Sequence, residues 1–366
     1  MNRRHLLLSA GLILAACLIL LPCCFRVHAA GSLPARLSDQ EFWKMIQEFS
    51  EPGGTFRSDN LLSNEFQLQD VIPDLLKTAK PGGVYMGVGP EQNFTYIAAL
   101  KPSMVFIIDI RRGNLDLHLL YKALFELSAN RAEFVSRLFA RERPEGLTVK
   151  STAQEIFAAY SRLPRSDTVY AETVKAIHNL LVTKRGFPLS QDDLDGIEYV
   201  YRAFAWFGPD LEYSSTGRGG FGGGYNLGFG GFGPRITYAE LMTATDADGR
   251  PRSYLASEES FAFLKKLETN NLVVPLVGDF AGPKAIRSVG GYVKENGAIV
   301  SAFYVSNVEM YLMQGGGWGS FCANVATLPL DETSTFIRSF RSSQFGRRGG
   351  LTSGLGEMQA ETKSCK

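Results

Sequence analysis

Short unbroken apolar runs along this chain are separated by stretches in which apolar residues recur every three or four positions. The runs Val84–Met86, Met104–Ile108, Leu272–Val277 and Ala298–Val305 predict buried strands. A further strand is expected over Phe321–Leu328. The helical period appears first after Ser38-Asp39-Gln40-Glu41, a capping box opening a helix to about Phe49. It returns over Gln69–Lys77, Glu91–Leu100, Ser257–Leu267, Gly282–Lys294 and Val308–Met313. Strands alternating with helices predict an α/β fold: a Rossmann-like, mostly parallel sheet with helices on both faces.

Roughly 160 residues separate Asp109 from the next strand, far more than a compact crossover uses. Residues 115–140 carry Leu117, Leu120, Leu124, Leu127, Phe134 and Leu138 at helical spacing. Further helices are expected from Ser151–Gln154, over 168–182 and from Ser190–Asp193. Residues 115–256 therefore read as a helical insertion packed over the sheet's C-terminal edge. It includes the glycine-rich stretch 217–233, expected to be a mobile lid or partner-contacting loop, or else a plain insertion. The expected organisation is a helical segment at 30–79, the α/β domain at 80–345 and a disordered tail at 346–366.

The N-terminus changes the picture. Arg3 and Arg4, an apolar run from Leu6 to about Phe25, and Val27-His28-Ala29 form an export signal, with cleavage expected after Ala29. A twin-arginine reading, a lipoprotein box at Leu14–Cys17 and an uncleaved anchor are variants of the same outcome. In each the domain is exported, periplasmic or envelope-associated, and it touches the membrane only through an N-terminal segment left uncleaved or lipidated.

The chain has 366 residues, 45% of them hydrophobic and 20% charged, enough for a substantial core. Removing residues 1–29 leaves 35 Lys and Arg against 37 Asp and Glu, a net of −2, so nucleic acid is not an expected partner. Cys322 and Cys365 then remain, too few for a disulfide framework or a cysteine metal site, although one bridge between them is open. His118 and His178 are the histidines left, so no metal site is expected. His118 reads as a partly buried helix residue before it reads as a base.

Candidate chemistry centres on V-Y-M-G-V-G-P-E-Q-N at 84–93, followed by a helix and a second strand ending in Asp109. A strand, a glycine turn, a helix and a second strand with a terminal acid form a nucleotide-binding unit. Gln92 stands where dinucleotide fingerprints place a third glycine, which disfavours NAD and FAD. The pattern resembles the class I S-adenosylmethionine-dependent methyltransferase superfamily, in pieces covering about residues 80–112 and 270–310. Tyr85 departs from the acid that family usually has before its first glycine, and Glu91 from its third glycine. The resemblance implies that Gly87 and Gly89 form the turn beneath the cofactor, with Glu91 available to its ammonium group. It implies that Asp109 holds the ribose, that Asp279 and Phe280 receive the adenine, and that Asn307 faces the methyl acceptor. Asp279 also reads simply as a turn residue.

Arg57, Asp59, Asn60, Asn64 and Glu65, ahead of the first strand, are candidate pocket residues or members of an ordinary capped loop. The expectation is an S-adenosylmethionine-binding, methyltransferase-like exported protein with a small-molecule ligand and an unidentified acceptor. Methyl transfer depends on positioning more than on acid–base groups. The alternative is a non-catalytic envelope binding or scaffold protein on the same fold. A hydrolase, which would need Ser306, His118 and Asp109 to converge, ranks last.

Overall fold

A computed structural model describes residues 32–56, 58–213, 215–216, 236–341 and 351–365. The expected export signal and the glycine-rich stretch 217–233 lie outside the described residues. Among the described residues no helix is long and apolar enough to cross a membrane.

Six strands form one sheet: β1 (Val84–Gly87), β2 (Met104–Asp109), β3 (Val273–Val277), β4 (Val300–Ser306), β5 (Thr335–Arg341) and β6 (Leu351–Glu357). Their order is β3-β2-β1-β4-β5-β6. This is the strand order of a doubly wound nucleotide-binding sheet, whose direction of winding reverses between β1 and β4. Strands β1 to β5 are parallel, and β6 alone runs antiparallel, against β5. Every residue of β1, β2 and β3 is buried, as expected of parallel strands covered on both faces. Pro275 is tolerated within β3 because that strand forms the sheet's edge. The α/β architecture is thus the Rossmann-like one that the hydrophobic pattern implies.

Between β2 and β3 the described chain is largely helical. Helix α1 (Arg112–Leu127) packs against β3 and against helix α2 (Gln191–Phe207). The pattern expected to run through 140 breaks at Ser128, and Asn130 caps a new helix over Arg131–Phe139. Thr152 with Glu155, rather than Ser151 with Gln154, forms the capping box of the next. The helix expected over 168–182 spans Asp167–His178 and continues as a π-helical turn, Asn179–Lys184.

The carboxyl-terminal region differs from expectation in three places, the first being β5, a strand that the hydrophobic pattern did not mark. Residues expected as a strand at Phe321–Leu328 belong instead to helix Trp318–Val325, with Phe321 and Val325, four apart, both buried. The period there is helical, and a short apolar run does not by itself separate the two states. The expected disordered tail contains β6, helix Met358–Glu361 and a disulfide from Cys365 to Cys322. Backbone pairing with β5 orders a segment whose own propensity is low. Its glycines have a packing reason: a Cβ at Gly354 would lie 2.7 Å from the Phe340 ring, and one at Gly356 2.0 Å from Arg338.

The segment ahead of β1 packs into the same unit, which runs from Ser32 to the C-terminus. Leu37 N–H donates to the Asn270 carbonyl and Glu51 N–H to that of Val277, tying the segment along β3.

Candidate functional site

Ligands of open α/β sheets bind beyond the C-terminal strand ends, at the point where the order reverses. Topology brings Gly87, Asp109, Asp279 and Asn307 to that edge, at or just beyond the ends of β1, β2, β3 and β4.

The turn after β1 is held by a residue that the sequence pattern did not single out. Asn93 Nδ2 donates to the carbonyls of Val88, Gly89 and Pro90, while its Oδ1 accepts from the Tyr85 hydroxyl at 2.9 Å. Gly87 is needed for this contact, because a Cβ there would sit 1.9 Å from Asn93 Oδ1. Gly89 has φ +77°, a left-handed conformation that favours glycine. His118, fully buried on α1, places Nε2 2.9 Å from the Gly89 carbonyl. Burial pushes its imidazole down to about 4, so the neutral ring donates from Nε2 and leaves Nδ1 bare.

Glu91 is also fully buried. Its Oε1 accepts from the Ser63 backbone N–H at 3.1 Å, and burial pushes its carboxyl up to about 8.

Asp109 does not present a free carboxylate. Its Oδ1 accepts from the N–H and Nε of Arg111, both at 2.9 Å, and its Oδ2 from Nη2 at 2.8 Å. A carboxylate has about four acceptor positions. Arg111 takes three, leaving room for one ribose hydroxyl rather than two.

At the end of β3, Asp279 behaves as a turn residue, its Oδ1 accepting from Ala281 N–H at 2.9 Å. Beside it Glu51 accepts from the backbone N–H groups of Asp279, Lys284 and Ala285, so a carboxylate of this chain occupies the N-terminus of helix Ala285–Glu295. Phe280 is 3% exposed and stacks on Phe321, with centroids 5.6 Å apart, and also contacts Phe303. Its ring is committed to the core, so the adenine role expected of it has no open face to use. Asn307 is half-buried at the N-cap position of helix Val308–Gly315 and makes no capping bond.

Residues 58–65 cross this edge as a strap. Arg111 donates to the carbonyls of Ser58 and Asp59, and the Tyr199 hydroxyl donates to Asp59 Oδ2 at 2.8 Å. At the far end Glu65 is buried, accepting from the hydroxyls of Tyr304, Ser306 and Ser353. Burial raises its carboxyl above the ordinary range, with no cation opposing it among its hydrogen-bond partners. Asn64 is exposed, and Arg57 lies outside the described residues. The polar stretch before β1 thus supplies the cover of the edge, through Asp59, Ser63 and Glu65. Arg111, Asn93 and Glu51 escaped sequence reasoning because each acts through partners fixed by tertiary contacts.

The hydrolase constellation does not assemble. Ser306 bonds to Glu65, His118 to Gly89 and Asp109 to Arg111, and no hydrogen bond joins any two of the three. Among the described residues no group of three or more His, Cys, Asp or Glu is placed to hold a metal ion.

No protein with a curated description matches this chain in sequence. Residues 61–181 and 235–359 match the family described as Domain of unknown function (DUF7790). Those stretches contain all six strands, the strap from Leu61, the glycine turn and Asp109. Since they amount to more than half of the chain, this protein belongs to that family.

Proposed function

We propose that the protein binds an adenosyl-type small molecule, S-adenosylmethionine first among them, at the C-terminal edge of its sheet, as a methyltransferase-like protein outside the cytoplasm. One observation carries the reading: the glycine turn of β1 and the acid ending β2 stand side by side next to the β1/β4 reversal. Parallel sheets of this order use that position for nucleotides. The methyl acceptor would enter from the β4 side, near Asn307. Export rests on residues 1–29, and the Cys322–Cys365 bridge is in keeping with an oxidising compartment.

The self-occupied edge favours a second reading, a non-catalytic binding or scaffold protein. Arg111 fills most of Asp109, Glu51 fills the β3 end, and Phe280 is buried. Thermal unfolding with S-adenosylmethionine, S-adenosylhomocysteine and unrelated nucleotides separates the two. A ligand at a hundred times its dissociation constant stabilises by about 2.7 kcal/mol. A shift specific to the adenosyl compounds and lost in Asp109→Asn supports the first reading; a folded sample with no shift supports the second.

A further inference from the structure

The two lateral edges of the sheet are finished differently. Along β3, Pro275 removes a backbone donor, and the N–H groups of Leu37 and Glu51 cover the carbonyls of Asn270 and Val277. A proline and a covering segment are usual protections of an edge strand. At the opposite edge β6 has neither. Leu351–Glu357 holds no proline or lysine, and its one charge is the terminal Glu357. Its register with β5 runs unbroken from Thr335–Glu357 to Arg341–Leu351, so no bulge turns the strand aside. Its substantial contacts are with β5 and with helix Met358–Glu361, which follows it in the chain.

The ladder fixes which backbone groups face outward. Met358 N–H donates to the carbonyl of Ser334, the residue directly opposite it in the same register. Antiparallel neighbours alternate between pairs that exchange hydrogen bonds and pairs that do not. Thr352, Gly354 and Gly356 therefore bond to β5, while Leu351, Ser353, Leu355 and Glu357 direct their N–H and C=O groups away from it. Among the described residues no hydrogen bond reaches those outward groups.

Side chains divide with the same period. Ser353 and Leu355 face inward, Ser353 toward Glu65 and Leu355 against the core. Thr352, Gly354 and Gly356 share the opposite face with Arg338 and Phe340. Phe340 is 50% exposed, and its ring lies over Gly354, where any Cβ would meet it. An aromatic ring is thus held half in water beside an unpaired backbone edge.

We propose that β6 docks a second copy of this chain, antiparallel across a two-fold axis at Gly354, so that two sheets become one. A two-fold axis sets one surface against itself, and a strand meeting its own copy this way runs antiparallel. With the axis at Gly354 all of β6 is used. Leu351 pairs with Glu357 of the other copy and Ser353 with Leu355, each pair exchanging two hydrogen bonds. The residues that this register pairs are the four whose backbone groups face outward. Gly354 meets Gly354 in a pair without hydrogen bonds, the closer kind, with Cα atoms about 4.5 Å apart. The two Phe340 rings, each over its own Gly354, then come together on one face of the joined sheet. The one charge of the strand meets Leu351 and not its own copy, so like charges are not opposed. An extended segment of an unrelated protein would use the same backbone groups but gives no reason for ring, glycine and register to centre on one point. The inference rests on none of the ligand chemistry proposed above.

The test is sedimentation velocity of the full chain over a dilution series, with residue-resolved amide exchange. Expected is a monomer–dimer equilibrium in which Leu351, Ser353 and Leu355 exchange more slowly as the dimer forms, with Thr352, Gly354 and Gly356 unchanged. Leu355→Pro removes an outward donor without taking a bond from β5, and should leave a folded monomer. Phe340→Glu and Phe340→Lys each bring like charges together at the axis and should weaken association at least about tenfold, and mixing the two should restore it. A folded chain that stays monomeric throughout overturns the assignment, and β6 would then be free for an extended segment of another protein. A dimer that survives Leu355→Pro and both Phe340 variants also overturns it, placing association elsewhere, the N-terminal apolar run included. Failure of the mixed variants to associate, where each alone has dissociated, overturns the axis at Gly354.

Discussion

Arg111 and Asp109, two residues apart, form a two-pronged ion pair at the end of β2, with Nη2 and Oδ2 2.8 Å apart and side chains 10% and 6% exposed. The guanidinium also reaches the carbonyls of Ser58 and Asp59, so one side chain holds the acid and the strap together. Removing one partner of a buried pair strands the other and costs about 3–5 kcal/mol. Arg111→Ala should therefore lower unfolding stability in urea by that amount. It should also increase proteolytic cleavage within residues 58–65, because the strap loses a tether. A small stability change with unaltered cleavage would show that the pair does not hold the strap.

Gly87 and Asn93 form a second dependent pair. Alanine at 87 drives its Cβ into Asn93 Oδ1, and Asn93 must abandon bonds to three carbonyls and a tyrosine hydroxyl. Leaving buried acceptors unsatisfied costs about 1–3 kcal/mol each, so Gly87→Ala should destabilise by at least about 2 kcal/mol. Chemical denaturation checks this, and a neutral result would mean that the turn tolerates a different arrangement.

Stability should depend on pH in a defined direction. Burial pushes Glu91 and Glu268 each up to about 8. A carboxyl whose folded pKa lies above its unfolded value contributes stability that is full below about 4.5 and is lost as pH rises to about 8. His118 acts in the opposite sense: pushed down to about 4, it contributes stability present above about 6.5 and lost as pH falls toward 4. Denaturation at pH 5.5 and pH 8 should show Glu91→Gln gaining stability relative to the parent protein at the higher pH. A constant difference between the two would mean that Glu91 ionises normally in the folded state.

Reduction should loosen the carboxyl terminus. The Cys322–Cys365 bond closes a separation of 43 residues and ties the chain end to helix Trp318–Val325. Cross-links of this span typically contribute about 2–4 kcal/mol. A reducing agent, or Cys365→Ser, should lower the unfolding midpoint and speed amide exchange in β6 more than in β1 or β2. Uniform exchange would show that β6 is held by its pairing with β5 alone.

The sequence by itself determined four of the five parallel strands, β1 to β4. Buried strands covered on both faces must be almost continuously apolar, and Val84–Met86, Met104–Ile108, Leu272–Val277 and Ala298–Val305 satisfy that within a residue or two. Capping boxes at Ser38–Glu41 and Ser190–Asp193 were legible for the same reason: the bonds that define them span three residues. Tertiary structure alone decided β6, because Leu351–Glu357 is ordered by the backbone of a neighbouring strand and carries no apolar period of its own. It also decided the condition of the candidate site. That Asp109 ends β2 follows from local pattern, but that Arg111 takes three of its acceptor positions depends on how the chain turns after the strand. Glu65 meeting Tyr304 and Ser306 joins residues about 240 apart. Local periodicity records which way a residue faces relative to its own element. It holds no record of which distant residue will stand opposite, and at this edge that pairing decides which acids are tied.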